Sequence, residues 1–145
     1  MFSKSCEYGL RAAIFVAEQS TLNLRVGVKA IAEAIGSPEA FTGKILQNLT
    51  KNGIITSIKG PYGGFVIEPY RLKELRLSDI VKVLDGDAIY TGCGLGLAQC
   101  NAKSPCPLHH KFVAIRNQLK EMLEENTLHS ILYTDKEKNF LWLKR

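Results

Sequence analysis

Cys93, Cys100, Cys106 and His109 stand close together in the chain, with six, five and two residues between successive members. Thiolates and an imidazole are the donors that soft metals and iron–sulfur clusters take. Three thiolates and one imidazole would complete a tetrahedral zinc site. They would equally supply the four protein ligands of a [2Fe–2S] cluster. Spacing does not separate the two. The paired Cys-x-x-Cys knuckles of common zinc folds are missing, which argues against structural zinc. Three reduced thiols without metal remain a third reading. The donors lie in a Gly- and Pro-rich stretch, from Gly92-Cys-Gly-Leu-Gly to Ser-Pro-Cys106-Pro-Leu-His109. His110 is a weaker neighbour, and His129 lies too far along the chain to favour. Cys6 falls on the apolar face of a predicted helix and reads as a buried structural thiol.

In a secreted protein such crowding would suggest disulfides. The apolar run Ala12–Ala17 is a poor signal peptide, because it is short, has Glu7 ahead of it and lacks a cleavage site after it. A cytoplasmic, reducing setting and metal binding are expected instead. No apolar run is long enough to cross a bilayer, so no membrane partner is expected.

Helical spacing and turn chemistry predict the elements that position these donors. A helix from Ser3 to about Gln19 buries Cys6, Leu10, Ala13, Ile14 and Ala17, and Ser3 or Ser5 caps it. Leu22 to Val26 reads as a short extended piece. A helix over Val28–Ile35 turns Ile31, Ala32 and Ile35 inward and ends at Gly36. Ser37-Pro38-Glu39 then reads as a cap, a first helical position and an acidic first turn. That helix reaches about Asn52 and buries Phe41, Ile45, Leu46 and Leu49. Ile54–Lys59 and Phe65–Ile67 read as strands around the turn Gly60-Pro-Tyr-Gly-Gly64. A short helix from Ser78 to about Leu84 precedes the cysteine loop. Leu108 to about Asn126 reads as the longest helix, with Phe112, Ile115, Leu119 and Met122 as a helix–helix seam.

Two helices joined by a tight Gly turn and followed by a hairpin make a winged helix-turn-helix. Such a module sets the N-terminal half of its second helix in the major groove. With positions 41, 45 and 49 inward, Pro38, Glu39, Thr42, Lys44, Gln47 and Asn48 lie nearer the DNA face. Lys51, late in the helix, suits a phosphate. At the wing, Lys59 and Tyr62 stand beside Gly63 and Gly64, which permit close backbone approach. From Ala40 to Ile67 there is no Asp or Glu, though a run of that length arises by chance often enough. The net charge of +5 and the pI of about 9.1 fit a polyanion partner. No nucleophile–base pairing, phosphate-binding Gly loop or convincing carboxylate pair points to an enzyme.

Several blocks carry a resemblance: Glu7-Tyr-Gly-Leu-Arg11, Ile31-Ala-Glu33, Leu46 with Leu49-Thr-Lys-Asn-Gly53-Ile-Ile, Lys59-Gly-Pro-Tyr-Gly-Gly-Phe65, Leu77-Ser-Asp-Ile80 and Leu84-Asp-Gly86. Together they resemble the Rrf-type family of bacterial winged-helix transcription regulators, the group of IscR, NsrR and CymR. The resemblance covers most of residues 1–90. It implies a homodimer joined through the long helix and a palindromic double-stranded DNA operator. Cluster-binding members of the family carry three cysteines in this loop, and in the IscR-like pattern a His three residues after the last Cys completes the set. His109 matches that place. The first gap is one residue longer than the pattern's five. In NsrR-like members an acidic residue early in the first helix, given by the partner subunit, is the fourth ligand, and Glu7 matches it.

The expected fold is mainly α with a small β-hairpin wing. The expected division is a winged helix-turn-helix over 1–86, a cluster-binding loop over 87–107, a dimerisation helix over 108–126 and a C-terminal tail over 127–145. The expected function is a transcription regulator, a repressor, whose operator affinity answers to a [2Fe–2S] cluster sensing iron–sulfur status, redox state or nitric oxide. A zinc- or thiol-switched regulator and a small iron–sulfur electron carrier are the alternatives.

Overall fold

The first helix, α1 (Lys4–Thr21), starts where the Ser3 hydroxyl accepts a hydrogen bond from the Cys6 amide at 3.1 Å. That bond satisfies one of the free N–H groups every helix start presents. These coordinates are a computed structural model, and the structure describes residues 1–134 and 140–144. α2 (Val28–Ile35) stops at Gly36, whose φ of 66° is left-handed and suits glycine. α3 (Glu39–Lys51) follows. Pro38 occupies the cap position itself, in extended backbone, and not the first helical position expected for it. The reason is local: the Ser37 hydroxyl is engaged with the Thr42 hydroxyl and leaves the helix amides alone.

The wing is an antiparallel pair, β1 (Thr56–Ile58) and β2 (Gly64–Val66), with Ser57 opposite Phe65. The extended piece expected before α2 shrinks to Val26, which exchanges backbone hydrogen bonds with Phe65 at 3.3 and 2.8 Å. A 3-10 turn, Pro69–Lys73, leads to α4 (Leu77–Asp85) and the one-turn α5 (Ala88–Thr91). After the cysteine loop come α6 (His109–Glu125), α7 (Leu128–Thr134) and a second 3-10 turn, Phe140–Lys144. α1 has 18 residues and α6 has 17, so α6 is not the longest helix, as the periodicity suggested.

Two clusters of buried side chains organise the chain. The main one joins Ile31 and Ile35 of α2, Leu46 and Leu49 of α3, and Ile55 and Ile67 of the wing base. Phe41 is only half-buried at its edge. Leu128, Leu132 and Leu143 also belong to this core, so the segment after residue 126 closes the winged helix-turn-helix. Leu143 is 1% exposed. Leu143→Ala should therefore cost about 2–5 kcal/mol, the range for deleting a buried leucine side chain. Urea unfolding monitored by circular dichroism measures it, and a loss below about 1 kcal/mol would remove this residue from the core.

The second cluster is Cys6, Val81 and Leu123, with Leu84, Ile89, Tyr90 and Leu119 against it. It joins α1, α4 and α6. The Ser3 amide reinforces it by donating to the Asp85 carboxylate at 2.9 Å. The cysteine loop is thus bounded by α5 and α6, whose Ile89, Tyr90, Leu119 and Leu123 belong to this cluster.

Candidate metal loop and nucleic-acid interface

The loop packs on the first half of α6, against His109, Phe112 and Arg116. Phe112 lies so close to Gly94 that any side chain there would collide with its ring, at 2.4 Å. Arg116 donates to the Gly92 carbonyl and, at 3.5 Å, to the Cys100 sulfur. His109 is buried, with Nδ1 3.2 Å from the same sulfur. Its backbone N–H donates to the Cys106 carbonyl at 3.0 Å, which starts α6.

The Cys93 thiol has its own surroundings. The N–H groups of Leu95 and Leu97 bond to it and hold it below the usual thiol range, with the Arg116 charge adding to the effect. Backbone N–H donors and a guanidinium favour a thiolate. At Cys93 the loop therefore favours the sulfur anion, the form in which cysteine ligates metal.

Of the four donors, Cys100 and His109 are brought within hydrogen-bonding distance of each other. Among the described residues, no three Cys, His, Asp or Glu side chains converge into a group able to hold a metal ion. The donor types, with the anion-stabilising surroundings of Cys93, fit a cluster or a soft metal, and a closed ligand sphere is not preformed among the described residues. Glu7 is drawn to Lys4, whose ammonium lies 2.9 Å away and holds the carboxyl below the usual range. His110 is exposed, edge-on to His109.

Cys6 is fully buried in the second cluster. Burial first, then the Asp85 carboxylate, pushes its thiol up to about 12 from 9.0. The fold favours the protonated thiol, so this contribution to stability is whole below about pH 9 and is lost as pH rises towards about 12. Cys6→Ala should flatten the alkaline loss of stability between those limits. Denaturant titrations at pH 8, 9.5 and 11 measure it, and parallel curves for the two proteins would count against it.

The surface expected to face DNA is formed by α3 and the wing. On α3, Pro38, Glu39, Lys44, Gln47, Asn48 and Lys51 are exposed. Thr42 is not: it is fully buried, and its hydroxyl donates to the Pro38 carbonyl at 2.8 Å. It falls on the inward side of the helix next to Ile45 and Leu46 and braces the turn, which corrects its expected base-reading role. The Asn48 side-chain oxygen accepts from Asn52 Nδ2 at 2.8 Å. Lys59 and Tyr62 project from the wing, Tyr62 being 88% exposed, with Gly63 and Gly64 half-buried behind them. Between α3 and the wing runs a cleft of about 620 Å³ lined by Lys44, Gln47, Thr50, Lys51 and Ser57.

Arg25 was missed by sequence reasoning. It precedes the Val26 bridge, and its guanidinium donates to the Tyr62 carbonyl at 3.2 Å, under the wing tip. The only sequence signal was a cation in an extended stretch, which does not reveal the wing folding back on it.

A family described as Rrf2, iron-dependent transcriptional regulator, matches residues 2–134. The chain belongs to the Rrf2 family of transcriptional regulators. An HTH-type transcriptional regulator of Aquifex aeolicus is 30% identical, over 97% of this chain and 96% of its own. Among solved structures, CymR, the global cysteine regulator of B. subtilis, superposes with a TM-score of 0.74 at 23% identity, covering 94% of this chain and 98% of that one. T. potens IscR superposes with a TM-score of 0.72 at 23% identity, covering 94% and 89%. These two show the winged-helix fold. Rrf2 members are regulators and not enzymes, which sets the electron-carrier alternative aside. No described helix is long and apolar enough to cross a membrane.

The four residues expected at the dimer seam have two kinds of surroundings within the protomer. Phe112 and Leu119 are half-buried inside the protomer, against Gly94 and the second cluster. Ile115 and Met122, on the neighbouring flank of α6, are 59% and 47% exposed.

Proposed function

We propose that this Rrf2 regulator is a homodimeric repressor whose operator affinity is set by a [2Fe–2S] cluster held by Cys93, Cys100, Cys106 and His109. The observation that carries the reading is the loop's chemistry: Cys93 in a nest of backbone N–H donors, and Cys100 between His109 and Arg116. Hydrogen bonds to sulfur of this kind tune iron–sulfur sites. A bound cluster would supply one-electron redox chemistry and a group that nitric oxide or oxidants can attack. With His109 as the imidazole ligand, Glu7 is the alternative fourth donor, given across the dimer.

The chain's own part is to connect the loop to the DNA surface. The loop rests on α6, and α6 packs on α1 through Leu123 and Cys6. α1 in turn carries Tyr8 against Phe41 of α3, with ring centroids 5.8 Å apart. A change in loop packing thereby biases the placement of α3, and in a dimer the spacing of two recognition helices. The exposed flank Ile115 and Met122 is the proposed dimer seam. The proposed operator contacts are Lys44, Gln47, Asn48 and Lys51 on α3, with Pro38 and Glu39 at its start and Lys59, Tyr62, Gly63 and Gly64 on the wing.

A zinc or thiol switch is the second reading, favoured by the close Cys100–His109 pair. Protein purified without oxygen separates the two. Visible absorption with iron and sulfide near two per protomer supports the cluster. A colourless protein holding zinc or no metal overturns it and leaves a winged-helix regulator with a thiol or zinc switch.

A further inference from the structure

Arg11 is half-buried on α1. Its Nη1 donates to two backbone carbonyls: Ile35 at 3.0 Å and Leu143 at 2.8 Å. Ile35 is the last residue of α2, just before the left-handed Gly36 that opens the turn to α3. Helix-end carbonyls lack partners within the helix, and a cation there also meets the negative end of the helix dipole. Leu143 belongs to the C-terminal 3-10 turn and is buried in the main core. The same guanidinium lies 4.8 Å from the centre of the Tyr8 ring, and Tyr8 meets Phe41 of α3 edge-on at 83°. One side chain therefore touches the end of α2, the C-terminal segment and the ring that abuts α3.

We propose that Arg11 is a positioning residue for DNA recognition, fixing α3 relative to α2 by clamping the end of α2 to the C-terminal turn and backing Tyr8 against Phe41. The proposal rests on the reading of α3 as the DNA-contacting helix. Arg11 makes no DNA contact in this role. It sets an angle, and DNA affinity responds because the proposed base contacts lie on α3, whose Leu46 and Leu49 share the main core with Ile55 and Ile67 at the wing base.

The test uses full-length protein and duplexes enriched from a random pool by the wild type. Affinity is measured as a function of salt for wild type, Arg11→Gln, Arg11→Lys and Tyr8→Leu, each corrected for its folded fraction by denaturant titration. Arg11→Gln is expected to bind about tenfold more weakly, a loss of about 1.4 kcal/mol. Its salt slope should stay that of the wild type, because no phosphate contact is lost. Arg11→Lys, which keeps a donor and a cation, should recover part of the loss. Tyr8→Leu, which keeps apolar bulk but removes the ring, should also weaken binding, and it carries the test if Arg11→Gln fails to fold. Unchanged affinity in the folded fraction overturns the proposal. So does a salt slope reduced by about one unit, which would make Arg11 a phosphate contact. Failure of the wild type to enrich any duplex would overturn the reading of α3 as well.

Discussion

Cys100→Ala protein, purified without oxygen, is expected to be colourless, with iron and sulfide falling from about two per protomer to less than about a tenth of that. Cys100 is the thiol that the loop ties most closely to α6, through His109 at 3.2 Å and Arg116 at 3.5 Å. Removing its sulfur takes away one of the three thiolates and leaves His109 without a partner in the loop. The substitution lies outside both buried clusters, so the far-ultraviolet circular dichroism should stay close to wild type and the unfolding midpoint close to that of cluster-free wild type, the bound cluster itself adding stability to the loaded protein. Cys6→Ala is the matched control. Cys6 sits in the second cluster as a protonated thiol, so its loss should cost stability and spare the iron. Full iron in Cys100→Ala would sink the assignment of the loop, and loss of iron in Cys6→Ala alone would move the site to the start of α1.

Gly63→Ala is expected to lower DNA affinity at least about tenfold, or about 1.4 kcal/mol, without lowering the unfolding midpoint by more than a few degrees. A Cβ at Gly63 would stand 2.0 Å from the Ile58 carbonyl oxygen and 2.9 Å from that of Gly60. Both obstacles are backbone, so the hairpin must open and the Gly63-to-Gly60 hydrogen bond of 3.0 Å must give way. That moves Tyr62, whose carbonyl Arg25 holds. Residues 59–63 belong to neither buried cluster, which explains why binding should suffer and stability should not. Binding curves and thermal melts of the two proteins decide it. Equal affinity would mean that the wing tip takes no part in DNA recognition.

Much of this molecule could be read from residue order. Apolar spacing at 31, 32 and 35 and at 45, 46 and 49 marks the buried faces of α2 and α3, because helical periodicity is local and the core is one-sided. The turn chemistry of residues 60–64 marks the wing for the same reason: a hairpin with that much glycine has few alternatives. The loop's donors are legible because ligand chemistry depends on residue type. Other features were not. Thr42 is a small polar residue that helical spacing leaves near the boundary of a face. It went inward because the Pro38 carbonyl and the Ser37 hydroxyl could satisfy its own hydroxyl there. Helical spacing grouped Phe112 and Leu119 with Ile115 and Met122, and it did not show that within the protomer the first two also meet a loop glycine and the second cluster.

The sequence by itself determined the family, the winged helix-turn-helix and the three thiols that could bind metal, because periodicity, turn residues and donor types are properties of short segments. Only the tertiary structure decided that the C-terminal segment completes the core, that Arg25 supports the wing and that Arg11 binds the end of α2. Those contacts join residues 24, 37 and up to 132 positions apart. No local pattern encodes them, since they arise from how complementary surfaces meet once the helices have formed.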